Sequence, residues 1–283
     1  MLPLTNSRDG ASSGVKYHLN CRDRIEIEKT TKSWVSGLKY LSTTAANKAN
    51  MPHTKLLEGI LDSNHDIVIK VADDSTDSLA NEWRIHQLLR EHKCEGFMRY
   101  ICYFECADNI ANVSPARGYV CQGPGSGLNV LMMEFINNAS FGEYAWRDII
   151  MFRACCKQLV CSMVDAHDKI RFRHNDLHPK NVLLKRTTKA SITYECGVSV
   201  PCAGMRVVVM DLELSKTGAN SRFLFMDLWT FFGKVLTMER MNDRTVSPVT
   251  DFFSAYKMHD DVDSKVALKA LHLIDEIEFA RAI

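Results

Sequence analysis

Asp176 stands two residues after His174 and five before Asn181 in the run His174-Asn175-Asp176-Leu177-His178-Pro179-Lys180-Asn181, which leads into the apolar Val182-Leu183-Leu184. A carboxylate on such a loop can orient an attacking hydroxyl and accept its proton. An amide oxygen five residues further on can hold a divalent cation beside it. Phosphoryl transfer needs both, because its catalysis is mostly positioning and charge neutralisation. A second carboxylate, Asp211, ends the apolar run Val207-Val208-Val209-Met210 and opens Asp211-Leu212-Glu213. Far upstream, Lys70 closes Ile67-Val68-Ile69-Lys70, and Glu82 follows twelve residues later.

These groups act together only if strands and loops deliver them. Trp34–Leu41 and Lys55–Leu61 read as strands around a small-residue turn, and Ile67–Val71 is a β-branched strand. The spacing of Leu79, Trp83, Ile85, His86, Leu88 and Leu89 predicts an amphipathic helix over 77–92, capped by Asp77 or Ser78. Met98–Cys106 and Leu128–Phe135 read as strands, with a loop over 107–127. Phe141–Ile170 predicts one or two helices. Val182–Leu184, Ser191–Glu195 and Arg206–Met210 predict short strands, with a turn over Gly197–Gly204. Phe223–Met238 and Asp263–Ala282 read as further helices. Strands with one helix, then mostly helices, mean an α+β chain with two unequal lobes.

Composition limits the alternatives. The 283 residues are 46% hydrophobic and 24% charged, enough for a sizeable core. Lys+Arg number 35 against 34 Asp+Glu, so a general polyanion binder is not expected. The start of the chain is too polar for a secretory segment, and no apolar run approaches the ~18 residues of a membrane helix. An intracellular protein is expected, and the ten scattered cysteines, with no C-x-x-C, read as buried reduced thiols.

Together the motifs resemble the protein kinase-like superfamily. His174, Asp176 and Asn181 match its H-x-D-x-x-x-x-N loop, and Ile67–Lys70 resembles V-A-I-K. Asp211 stands where the family keeps the Asp of D-F-G, and Asp227-Leu228-Trp229 through Gly233 resembles the D-x-W-x-x-G helix beneath the catalytic loop. Leu131-Met132-Met133-Glu134-Phe135-Ile136 resembles the hinge strand. The Asp176-Leu177-His178 form looks most like haspin-type and other atypical kinases. Kinases of large DNA viruses carry a similar loop, and aminoglycoside and choline kinases share Asp-x-His. The resemblance implies a bilobal fold: an extension over 1–33, a β-rich N-lobe with one main helix over 34–136, and a trimmed helical C-lobe over 137–283.

It also implies ATP and Mg²⁺. Asp176 is then the catalytic carboxylate, Asn181 and Asp211 hold the metal, and Lys70, braced by Glu82, contacts the α- and β-phosphates. Met133 is the gatekeeper, and the backbone around Glu134 and Ile136 faces adenine. The implied activity is serine/threonine protein kinase. A small-molecule phosphotransferase and a non-catalytic pseudokinase scaffold are the alternatives. The departures bear on that choice. No G-x-G-x-x-G precedes Lys70, and the nearest phosphate cover is Ser42–Asn47. Asn175 replaces the usual Arg and His178 the usual Lys, so help at the γ-phosphate is either weaker or comes from elsewhere, Lys180 being one candidate. Sixteen residues separate Asp211 from Asp227, with no A-P-E, too few for a full activation loop and peptide platform. His174 and Asp227 are expected to be structural, Met132 and Met163 to line core or pocket, and Lys185–Lys189 to form a solvated turn.

Overall fold

The computed structural model describes residues 35–40, 54–61, 65–73, 78–105, 128–239 and 241–280. The proposed phosphate cover at 42–47 and the loop at 107–127 lie outside them. The chain divides into two compact units, one of residues 1–74 and 101–133, the other of 75–100 and 134–283.

The first unit is built on a sheet in the order β1-β2-β3-β5-β4: β1 (Val35–Tyr40), β2 (Thr54–Leu61), β3 (His65–Asp73), β4 (Tyr100–Glu105) and β5 (Leu128–Glu134). β2 and β3 pair antiparallel without interruption, from Thr54 opposite Ala72 to Leu61 opposite His65. On β3 the β-branched Ile67, Ile69 and Val71 alternate inward, as a pleated strand requires. β5 is different: Val130, Leu131, Met132 and Met133 are all buried, the continuous apolar run of a strand covered on both faces.

The second unit is mostly helical. α1 (Ser78–Glu91) is followed later by α2 (Ile149–Ile170), the longest helix. The Asp148 carboxylate caps α2, accepting the N–H groups of Ile150 (2.8 Å) and Met151 (3.2 Å). Arg171, at φ 53°, ends it in a left-handed turn. β6 (Val182–Arg186) pairs antiparallel with β9 (Met205–Val209), Val182 opposite Val209. The smaller ribbon β7 (Ser191–Thr193) with β8 (Ser199–Pro201) lies between them in sequence. α3 (Ser221–Val235), α4 (Asp243–Tyr256), a 3-10 segment (Ser264–Lys269) and α5 (Ala270–Asp275) complete the unit. Phe141, Trp146, Phe152 and Phe231 meet at ring separations of about 5 Å in its core.

The α+β class with a helical second half is as expected. Four local readings need correction. The helix expected from Phe141 begins only at Ile149. Residues 141–148 turn instead, because Phe141 N–H bonds the Val182 carbonyl (2.6 Å) and Trp146 Nε1 donates to the Phe141 carbonyl (2.9 Å). The expected turn over Gly197–Gly204 contains β8. The helix expected over Asp263–Ala282 is a 3-10 segment and a short helix ending at Asp275. α4 was not anticipated. Pro248 inside it hides the signal, although Val246, Val249, Thr250 and Phe253 form one buried face after the Asn242 cap.

One glycine is fixed by contact as well as by conformation. Gly96 has φ +87°, and a Cβ there would lie 2.1 Å from Ser162 Oγ and 2.9 Å from Ser162 Cβ on α2. Gly96→Ala should therefore cost about 2 kcal/mol or more in urea unfolding, from strain and overpacking combined. Adding Ser162→Ala should recover part of that loss, since it removes the nearer of the two clashing atoms. An unchanged unfolding midpoint in Gly96→Ala would contradict this packing.

Candidate active site

The loop from Phe172 to Asn181 is held by a buried carboxylate. Asp227, on the first turns of α3, accepts the backbone N–H of His174 (2.7 Å) and of Asn175 (2.9 Å). Phe172 is buried beneath the loop, and Asn175 takes φ +67°. The His174 ring is fully buried. Its Nε2 donates to the Met210 carbonyl (2.9 Å) and its Nδ1 accepts from Asp176 N–H (3.3 Å), which fixes the neutral tautomer. Burial lowers its pKa in the same sense. Both residues are thus structural, as expected.

Asp176 and Asn181 face each other across one turn. The Asn181 amide nitrogen donates to the Asp176 carbonyl (3.0 Å) and to its Oδ2 (3.3 Å). The turn itself is a 3-10 segment, Pro179–Asn181, started by His178, whose Nδ1 accepts from Lys180 N–H (3.2 Å). That acceptor role leaves the hydrogen on Nε2, which lies 3.6 Å from Asp176 Oδ2. Asp176 is therefore flanked by two donor groups on one oxygen. Lys180 is exposed.

The β9 end joins this loop directly. Met210 N–H bonds the Asn181 carbonyl (2.9 Å), and Asp211 then leaves the strand at φ +62°. The carboxylates of Asp211 and Asp176 both oppose the lowering of the His174 pKa by burial. Leu212 is buried, and its N–H is held by Glu82 Oε1 on α1 (3.3 Å), which also accepts the Tyr100 hydroxyl. Burial, reinforced by Glu82 and Asp211, keeps the Tyr100 phenol protonated and well above its ordinary pKa. Asn81 donates to the carbonyls of Glu213 (2.9 Å) and Ser215 (3.1 Å). From the other side, Asn175 donates to the Leu214 carbonyl (2.6 Å), and Arg173 and Lys216 exchange backbone bonds.

Asp176, Asn181, Asp211 and Glu82 are thus brought together within the second unit. Glu134 lies there too, ion-paired with Lys185 at 2.6 Å, and Ile136 is buried. The solvated turn after β6 is exposed at Arg186, Thr188 and Lys189, with Lys185 engaged by that pair. Lys70 and Met133 belong to the first unit, both buried, Lys70 on β3 opposite Leu56 of β2. Sequence reasoning missed Asn81 and Tyr100. The polar side chain beside Glu82 on α1 was the available signal for Asn81.

Comparison with known proteins gives a partial likeness. No family model matches the chain. The serine/threonine-protein kinase haspin of Bos taurus is 32% identical over 74 residues, 25% of this chain. The haspin of Mus musculus is 31% identical over the same length. In each case the match spans 10% of the relative's own length. A solved Stt7 homolog from Micromonas algae, soaked with ATP, has a TM-score of 0.43 at 13% identity, over 75% of this chain and 56% of that one. The likeness to the haspin kinases thus covers 25% of the chain. No helix among the described residues is long and apolar enough to cross a membrane.

Burial raises the Asp227 pKa to about 7, against the opposing pull of two N–H donors and Arg173. Between the ordinary carboxylate value and about 7 the folded chain holds a proton that the unfolded chain has released. The contribution of Asp227 to stability therefore falls as pH rises through that window. Urea unfolding of wild type and Asp227→Asn at pH 4.5 and 7.5 should show the wild-type advantage shrinking at the higher pH. Taking the difference cancels the opposite trend from His86, held near 4 by burial. An advantage that grows with pH would mean the N–H donors win.

Proposed function

We propose that the chain is an ATP- and Mg²⁺-dependent phosphotransferase of the protein kinase type, moving the γ-phosphate of ATP to a serine or threonine hydroxyl of a protein. One observation carries the reading: Asp176 and Asn181 are bonded across a single turn, and Met210 is bonded to Asn181, so that Asp211 emerges beside both. Asp176 orients the attacking hydroxyl and takes its proton, with Oδ2 held by Asn181. Asn181 uses its nitrogen on Asp176, which leaves its amide oxygen to face a hard cation, and Asp211 supplies a carboxylate oxygen. Among the described residues no group of three or more His, Cys, Asp or Glu could hold a metal. Two protein oxygens plus substrate phosphates suit Mg²⁺, which keeps several of its waters. Bound there, it would neutralise charge developing on the phosphates.

Lys70 is assigned to the α- and β-phosphates, Glu82 to its bracing, and Met133, Glu134 and Ile136 to the adenine side, on their positions in the sequence motifs. Glu82 has a second task in this reading, holding the turn that carries Asp211. An intracellular site of action belongs to the same proposal, supported by seven free cysteines among the described residues.

A second reading, transfer to a small hydroxyl compound, is favoured by the segment after Asp211. It is short and tied on both sides by Asn81 and Asn175. Radiolabelled ATP supplied with protein mixtures, and separately with aminoglycosides and small alcohols, distinguishes the two acceptors.

Asp176→Ala should lower phosphate transfer about a thousandfold or more, roughly 4 kcal/mol of barrier. Asn181→Ala should raise the Mg²⁺ concentration needed for half-maximal rate. Equal labelling by wild type and Asp176→Ala would overturn the assignment. No thermal shift with Mg²⁺·ATP, together with no transfer, would leave a binding scaffold.

A further inference from the structure

We propose that Cys196 and Cys161 form a peroxide-sensitive thiol pair, a modification site in which oxidation closes a disulfide between the β7–β8 hairpin and α2. The pairing is set by the backbone. Asp165 lies one helical turn after Cys161 on α2. Its two carboxylate oxygens accept the N–H groups of Glu195 and Cys196, each at 2.8 Å. The hairpin bend is thereby fixed over the helix face that carries Cys161. Cys161 is fully buried in a cluster with Ile192, Tyr194, Val200 and Cys202, and Cys196 packs against that cluster. Both side chains thus share one packed cluster.

The two sulfurs differ in a way that suits them to different steps. Cys196 is only partly buried, whereas Cys161 is closed off from solvent. The interaction between the two thiols lowers the Cys196 pKa and raises that of Cys161. Cys94, the other partly exposed thiol among the described residues, is pushed up to about 11 by burial. The thiolate is the reactive form, so an oxidant should find Cys196 first. A zinc role does not compete, since no metal-holding group exists among the described residues.

The chemistry balances with hydrogen peroxide as oxidant. The Cys196 thiolate attacks one peroxide oxygen, the O–O bond breaks, and hydroxide leaves to take up a proton. Cys196 becomes a sulfenic acid. The Cys161 sulfur then attacks the Cys196 sulfur, the S–O bond breaks, and the Cys161 proton leaves with that oxygen as water. Two thiols and one peroxide yield one disulfide and two waters. The product ties α2, which runs straight into the catalytic loop, to the hairpin joining β6 and β9.

The test uses the full chain and needs no enzyme activity. Reduced protein is treated with hydrogen peroxide, the remaining thiols are blocked with iodoacetamide, and the peptides are mapped by mass. A linked Cys161–Cys196 peptide that dithiothreitol reverses is expected. So is alkylation of Cys196 at neutral pH about tenfold or more faster than Cys94. Cys196→Ser should abolish the link, and Cys161→Ser should leave Cys196 on a sulfenic or sulfinic acid. Both thiols fully alkylated after peroxide, a link from Cys196 to a different cysteine, or Cys94 reacting as fast as Cys196, would each overturn the proposal.

Discussion

Everything at the candidate site depends on one carboxylate buried under one loop. Asp227 sits on a helix whose other inward residues are Leu224, Phe225, Leu228, Phe231, Phe232 and Val235. In such surroundings an isolated charge would be very costly. The two N–H groups of His174 and Asn175 are what make the position tenable, and the carboxylate in turn fixes where Asp176 begins. The positive φ of Asn175 follows from the same requirement, because the chain must turn sharply to point consecutive N–H groups at a single side chain.

From that anchor, order passes outward through hydrogen bonds between elements distant in sequence. His174 bonds the carbonyl of Met210, Met210 bonds Asn181, and Asn181 bonds Asp176, so the loop and the end of β9 form one closed circuit. α1 joins it at Leu212 through Glu82. The Tyr100 hydroxyl, its pKa raised by burial, donates to that carboxylate. A buried polar network of this kind is stable only when its members are satisfied.

The local geometry of the candidate site was legible because its residues are close in sequence. His174, Asp176 and Asn181 lie within eight residues, and the β-branched run before Asp211 signals the strand that delivers it. The roles of His174 and Asp227 were also legible, since a histidine and an aspartate beside apolar runs usually support the backbone. Asn81 was not, because its acceptors lie more than 130 residues away and nothing in its own neighbourhood encodes them. Residues 141–148 misled for a related reason: their aromatics suit a helix face, yet Phe141 and Trp146 are drawn into contacts with Val182 and with each other. α4 was lost to a single Pro248 that its buried face outweighs.

The carbonyls from Glu213 to Ser215 are held by neutral groups, while the Leu212 N–H before them is held by the buried Glu82 carboxylate. All three carbonyls end on asparagine amides, and the neighbouring Arg173 and Lys216 are joined backbone to backbone. Dipoles at hydrogen-bond range are little affected by the ionic atmosphere, which weakens interactions between exposed charges over a distance of about 8 Å at physiological strength. The backbone form of the stretch from Glu213 to Ser215 is therefore little affected by salt.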